Sequence, residues 1–240
     1  IPGIGRISYF KQELPKGKIK CSRILKRASG WYLLIWIDII NKFQVKKTNK
    51  SIGIDPGFKT LLTLSDEQKI ENIKLDEKRL AQAQRSRNKK LIGRLYEKQK
   101  NQKKDFNHKL LRKLIENYKI IYYSKDNFNI LQKQFGKSIQ KAGLSNLILM
   151  INYKGSNCGR KVIGINSKYT TMTCSNCGEK SGPTGWSGLK VRFWQCIACG
   201  ANHDRDINAA KVVAKIGAGI ALKETSDGFN RQKSLIKENS

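Results

Sequence analysis

Apolar positions change their spacing several times along the chain, and each change marks an element. From Gly5 to about Ile40 they come in short runs: Ile7, Tyr9 and Phe10, then Ile19, Ile24 and Leu25, then Trp31–Ile40. Pro15-Lys16-Gly17 and Ser29-Gly30 break these runs as turns, which predicts a small β module. Lys42–Lys50 reads as a polar linker. Ser51–Asp55, Thr60–Ser65 and Lys69–Ile73 predict three strands, with turns at Pro56-Gly57 and Asp66-Glu67. The pattern then lengthens. Asp76–Asn117 is polar and nearly free of breakers, with stripes at Leu80, Ala83, Arg87, Leu91 and Leu95, then Leu110, Leu111, Leu114 and Ile115, which predicts two helices or more. A buried strand at Lys119–Ser124, an apolar helix at Gly143–Asn157, a strand at Lys161–Asn166 and a last helix at Asp206–Ile216 complete the reading.

Composition sharpens this picture. The chain has 240 residues, 39% of them hydrophobic, which is enough for a real core without disulfide staples. It carries 48 Lys and Arg against 18 Asp and Glu, a formal net charge of +30. A compact fold with that excess repels itself unless a polyanion neutralises it, and nucleic acid fits best, because bound cations release condensed counterions. No apolar run reaches transmembrane length, so no membrane partner is expected.

Four of the six cysteines form two C-x-x-C pairs, Cys174/Cys177 and Cys196/Cys199, each followed by glycine. Each pair sets two thiolates on one tight turn, and two such knuckles close a tetrahedral structural Zn²⁺ site with no open position for water. Cys21, Cys158 and His108 offer no such chemistry and read as packing or surface residues. Between the knuckles Trp186, Phe193 and Trp194 lie among Lys190 and Arg192; they either stack on bases or pack over the ribbon.

Two acidic features remain. Ser51–Gly57 is an apolar strand ending in Asp55 and a glycine turn, and His203–Ala210 sets Asp204 and Asp206 where the last helix begins. Helix capping explains one acid there, not two. An RNase H-type sheet would bring Asp55 beside the start of that helix, where two or three carboxylates hold a pair of Mg²⁺ ions about 3.5–4 Å apart for phosphodiester hydrolysis.

The order of motifs resembles the TnpB family of insertion sequences. It runs Gly53-Ile54-Asp55, a basic helical stretch, Asn152-Tyr153-Lys154, Tyr169–Gly178, Gly182-Pro183-Thr184-Gly185, Gly188–Trp194, the second knuckle, and His203–Ala210. The resemblance runs from Ile1 to about Gly219. It implies an α/β fold with an RNase H-like (RuvC) mixed sheet, a helical insertion, an inserted zinc ribbon and the end of an N-terminal wedge-like β module. The expected divisions are 1–48 for that β module and 49–172 for the core, with its insertion at about 74–118. The ribbon follows at 173–203, the last core helix at 204–222 and a flexible tail at 223–240. The resemblance further implies an RNA-guided, Mg²⁺-dependent DNA endonuclease in the cytoplasm at the nucleoid, with a guide RNA and double-stranded DNA as partners. Family members carry sequence before the point where this chain starts, so an N-terminally incomplete protein is expected.

Asp55 matches the first catalytic acid of the family and Asp206 the last, because it precedes x-Asn-Ala-Ala. The middle acid, usually Glu, has no direct match. An ungapped reading puts Ser124 or Lys125 there, and a shifted one puts Asp126. In the branch with Gly-Pro-x-Gly between the knuckles the corresponding spot is Ser167-Lys168. Two divalent ions carry four positive charges and two carboxylates offset half. Two outcomes therefore stand open, an active nuclease with Asp126 as third acid, or a cleavage-deficient relative that still binds RNA and DNA or is a decaying fragment.

Overall fold

A computed structural model describes residues 5–6, 8–10, 12–39, 45–125, 136, 143–188 and 190–219, without the side chain of 186. Asp126, the side chain of Trp186 and the tail from 223 lie outside the described residues.

The chain divides into two compact units. The first joins residues 1–44 to 74–106. In it β1 (Lys18–Arg27) and β2 (Gly30–Asp38) form an antiparallel hairpin, as the turn at Ser29-Gly30 predicts. Helix α1 (Glu77–Arg85) follows, capped by Asp76, whose carboxylate accepts from the Arg79 N–H. Arg87, at φ 53°, separates it from α2 (Lys89–Asn117). The hairpin turn is fastened to α2, because Ser29 donates its N–H and its hydroxyl to the Glu97 carboxylate at 2.9 and 2.7 Å. Most side chains of this unit are exposed. That agrees with lysine-rich sequence that has few apolar positions to bury.

The second unit, 45–73 with 107–240, holds the main core. Strands β3 (Ser51–Pro56), β4 (Thr60–Leu64), β5 (Lys69–Glu71), β6 (Ile120–Lys125) and β7 (Lys161–Asn166) form one mixed sheet in the order β5-β4-β3-β6-β7. β3, β6 and β7 run parallel; β4 and β5 run antiparallel to their neighbours. Helix α3 (Leu144–Asn157) connects β6 to β7. Then come a short α4 (Gly185–Gly188), the hairpin β8 (Phe193–Gln195) with β9 (Asn202–Asp204), and α5 (Arg205–Gly217). The central strands read as continuous apolar runs because both sheet faces are covered. Ile52, Ile54 and Ile121 are buried on one face, and Gly53, Tyr122 and Ser124 turn to the other.

Helix α5 lies on that second face. Its Ala209, Ala210, Val212 and Val213 are fully buried, and Val213 packs with Tyr122 of β6 and Ile165 of β7. Close approach is obligatory. A Cβ on Gly53 would stand 2.3 Å from the Ala210 carbonyl oxygen and 2.7 Å from Ala214 Cβ, and one on Gly217 would stand 2.2 Å from the Tyr122 ring. The neighbour at Gly53 is backbone, which cannot swing aside. We expect Gly53→Ala to destabilise the protein by about 1–3 kcal/mol, the usual cost of overpacking, read as a lower denaturation midpoint at unchanged slope.

Candidate functional site: a carboxylate end and a four-cysteine cage

The register of the sheet gathers the acidic residues. Asp55 near the end of β3 aligns with Thr63 on β4, and Thr63 aligns with Lys69 on β5, so the three share a face, the one that carries α5. On the opposite flank β6 presents Ser124, which is 1% exposed and donates its hydroxyl to Asp55 Oδ1 at 2.5 Å. Lys69 reaches across to Asp204 Oδ2 at 2.6 Å. Asp204 is the N-cap of α5, accepting from the Asp206 and Ile207 N–H groups at 3.1 Å each. Burial opposes ionisation of Asp204, but Lys69 and those two N–H groups hold its carboxyl below the ordinary carboxylate value.

Asp206 sits in the first turn of α5, where a negative charge suits the helix dipole. It is half-buried and ion-paired to Arg192 at 3.2 Å and to Arg205 at 3.3 Å. Gly53, one same-face step before Asp55, touches Ala210, one helical turn after Asp206. Asp55 and Asp206 thus lie toward the same end of the β3–α5 contact, and the Lys69–Asp204 bond closes that end from β5. Of the two ungapped alternatives on β6, Ser124 faces Asp55. Lys125 is exposed and points to the other face. Asp126 lies outside the described residues.

The cysteines converge from two knuckles. The ligand atoms of Cys174, Cys177, Cys196 and Cys199 all lie within 4.8 Å of one another, and among the described residues no other set of three or more His, Cys, Asp or Glu does this. Cys174 Sγ is 3.7 Å from Cys199 Sγ, and Cys177 Sγ is 3.6 Å from Cys196 Sγ. A tetrahedron with metal–sulfur bonds of about 2.3 Å has edges of about 3.8 Å, so these two spacings suit a cage that could hold a metal ion and are too long for disulfide bonds. Each knuckle closes through its glycine. Gly178 N–H donates to the Cys174 carbonyl at 2.9 Å and Gly200 N–H to the Cys196 carbonyl at 2.8 Å, at φ 82° and 71°. The Ser181 hydroxyl above all draws the Cys196 thiol down to about 6. The Glu179 N–H favours the Cys177 thiolate, yet burial and the three neighbouring cysteines push that thiol up to about 12. Each close sulfur pair therefore holds one thiol of raised and one of lowered acidity, and a cation held there would displace the remaining protons.

Asn208 joins the two regions. It is 1% exposed, donates Nδ2–H to the Thr173 carbonyl at 2.8 Å, and accepts from the Ser175 N–H at 2.8 Å, so it grips both neighbours of Cys174 from inside α5. Lys215 adds a bond to the Ser175 carbonyl. Sequence reasoning assigned no role to Asn208, Lys69 or Arg192. A polar side chain on the buried stripe of a helix was the available signal for Asn208; nothing local marks Lys69, which acts across two strands. We expect Asn208→Ala to cost on the order of 3 kcal/mol, because two buried backbone groups lose their partners, with Asn208→Asp losing the donor alone; chemical denaturation of both variants measures this.

A family model described as "Probable transposase" (OrfB_IS605) matches residues 37–125, and one described as "Cas12f1-like, TNB domain" matches residues 145–213. A Streptomyces pristinaespiralis protein named "Putative RNA-guided DNA endonuclease" is 32% identical over 226 residues, covering 86% of this chain and 54% of that protein. InsQ of Escherichia coli K12, which bears the same description, is 23% identical over 252 residues, covering 92% of this chain and 62% of its own. TnpB-like proteins of Acanthamoeba polyphaga mimivirus are 28% identical over 219 residues, and this chain spans 41% of their length. The chain thus spans about half the length of the curated relatives it matches. In fold it is similar to the Cas12f1 protein of a complex with single guide RNA and target DNA, with a TM-score of 0.53 and 19% identity over 80% of this chain and 55% of that one. Two family models on separate stretches and a relative at 32% identity agree: the chain belongs to the TnpB family.

Proposed function

We propose that this chain supplies the nuclease core of an RNA-guided DNA endonuclease associated with a transposable element, with a RuvC-type RNase H-like sheet and an inserted zinc ribbon. The observation that carries this reading is the placement of Asp55 and Asp206 toward one end of the β3–α5 contact, on one sheet face. The partners are a guide RNA and double-stranded DNA, in keeping with the charge of +30 and with the relatives' names. In this reading residues 49–172 and 204–222 form the core, 74–118 the basic insertion, 173–203 the ribbon, 1–48 the end of a β module and 223–240 a tail. The site of action is the nucleoid. Among the described residues no helix is long and apolar enough to cross a membrane.

The four cysteines suit Zn²⁺: their donors are soft thiolates at tetrahedral spacing, and the closed set is structural. The expected outcome is about one zinc per chain by elemental analysis, falling below detection in Cys174→Ser, with a lower Tm after chelation.

Asp55 and Asp206 offer hard carboxylate oxygens and would hold Mg²⁺, with Asp126 as the third acid. When bound, Mg²⁺ supplies an activated water and charge stabilisation at the leaving oxygen of the phosphodiester. The chain's own residues set the conditions for that. Ser124 fixes the Asp55 carboxylate by its hydrogen bond, Asp204 and Lys69 fix the start of α5, and Arg192 and Arg205 hold Asp206 until a cation or a phosphate competes for them.

Specific observations favour a second reading, a cleavage-deficient RNA-guided DNA binder. The side chain that β6 sets against Asp55 is a hydroxyl, and Asp206 is paired to two guanidinium groups. One experiment separates the readings. The protein is expressed with its own locus so that native RNA is bound, and guide-matched duplex is offered with Mg²⁺. Cleavage that falls at least about 100-fold in Asp55→Asn, the scale for losing a catalytic metal ligand, supports the nuclease. Guide-dependent binding without cleavage in the wild type supports the binder, and neither binding nor cleavage overturns both.

A further inference from the structure

His203 is the one imidazole beside the cysteine cage among the described residues, and the two functions above leave it unused. It lies on β9, opposite Trp194 of β8 in the register, and the two rings stack with centroids 4.6 Å apart and 39° between their planes. Its Nε2 is 3.0 Å from Cys174 Sγ. It is not a fifth member of the cage, since the mutually close donor set comprises the four cysteines alone.

We propose that His203 is a positioning residue for the metal held by these cysteines: its Nε2–H donates to the Cys174 thiolate, and so ties occupancy of the cage to the first turn of α5. This rests on the reading that the cysteines hold a metal.

Charge makes the donor necessary. Four thiolates around a divalent ion leave two negative charges inside the protein, and N–H and O–H groups aimed at the sulfurs offset them. Cys199 receives the Asn176 side-chain amide at 3.6 Å and Cys196 the Ser181 hydroxyl at 3.2 Å. Cys174 is fully buried and also receives backbone N–H groups, from Asn176 at 3.4 Å and from Cys177. The imidazole, at 3.0 Å, approaches its sulfur more closely than the Asn176 N–H does. A metal-bound thiolate has no proton to give, so it fixes the tautomer with hydrogen on Nε2.

The coupling follows from the chain. Asp204, the N-cap of α5, is the next residue, and Asp206 is two further on. Asn208 grips Thr173 and Ser175 on either side of the same cysteine. Cys174 is thus held to α5 by its side chain through β9 and by its backbone through Asn208. If the cage opens, both holds slacken, and the end of α5 that carries Asp204 and Asp206 slackens with them.

The test uses the full protein loaded with Co²⁺, whose thiolate charge-transfer band reports the donors. In His203→Phe, which keeps a flat ring against Trp194, the band moves to lower energy, because a thiolate without its hydrogen bond is the better donor. Metal release to a chelator becomes about 10–100-fold faster, the usual effect of removing such a partner. His203→Gln, which returns an N–H near the same place, recovers most of both. The Asp206 and Ile207 amides exchange hydrogen faster in metal-loaded His203→Phe than in metal-loaded wild type. Wild-type band energy and release rate in His203→Phe overturn the inference and leave the metal site standing, as do unchanged amides at Asp206 and Ile207. A wild-type protein without a thiolate–Co²⁺ band overturns the metal reading and this inference with it.

Discussion

The contact of Gly53 with α5 is the constraint on which the rest of the second unit depends. A strand and a helix approach so closely only where one offers no side chain, and here the helix backbone at Ala210 fills the space that a Cβ would take. That approach buries Ala209, Ala210, Val212 and Val213 completely and seats Val213 against Tyr122 and Ile165. Burial of this apolar area stabilises the joint at roughly 25 cal/mol per Å². It also fixes where α5 begins. Once the helix lies on β3 at Ala210, its first turn must fall near the end of the strand, where Asp55 stands. Packing and chemistry are thus one geometric fact, and the alanines after Asp206 serve the site by letting the helix down onto the sheet.

Electrostatics divides the molecule differently. With 18 acidic residues against 48 basic ones, each carboxylate has many potential partners, and several of the described acids in the second unit are paired internally. Asp204 takes Lys69, Asp206 takes Arg192 and Arg205, Glu67 takes Lys211, and Asp66 accepts from Tyr118. Exposed pairs such as Lys211–Glu67 contribute little stability. Their effect is local: they organise the start of α5 and leave the remaining lysines and arginines to a polyanion. The same arrangement sets the competition at Asp206, where two guanidinium groups occupy the oxygens a cation would need.

The cysteine cage answers a problem of size. The segment around its knuckles has short strands and little apolar area of its own, so a metal held by the four cysteines would supply the cohesion that a core gives elsewhere. The outer apolar residues agree with this, since Phe193 is 76% and Ile197 88% exposed. The ribbon is nonetheless not an independent bead. Asn208 and Lys215 join it to α5 through polar contacts that a purely apolar interface would not make so specifically.

Much of this was legible from residue order. The three strands from Ser51, the strand at Lys119, the α3 helix and the last helix stand where their periodicity and breakers put them, because both covered sheet faces and amphipathic helices write their burial into local pattern. The C-x-x-C pairs announced a four-thiolate cage, because each knuckle is a local turn whose chemistry needs only its own four or five residues. The sequence alone also determined the charge, and hence the expectation of a polyanionic partner. It left open which β6 residue faces Asp55, what holds Asp206, and what Asn208 and His203 do. Those answers depend on register across strands and on how a helix seats on a sheet, and they join residues far apart, Ser124 to Asp55 and Asp204 to Lys69. A one-residue slip would turn Lys125 to Asp55 in place of Ser124. No local pattern records that choice. Only the packed sheet, fixed by its buried face and by the glycine that admits α5, decides it.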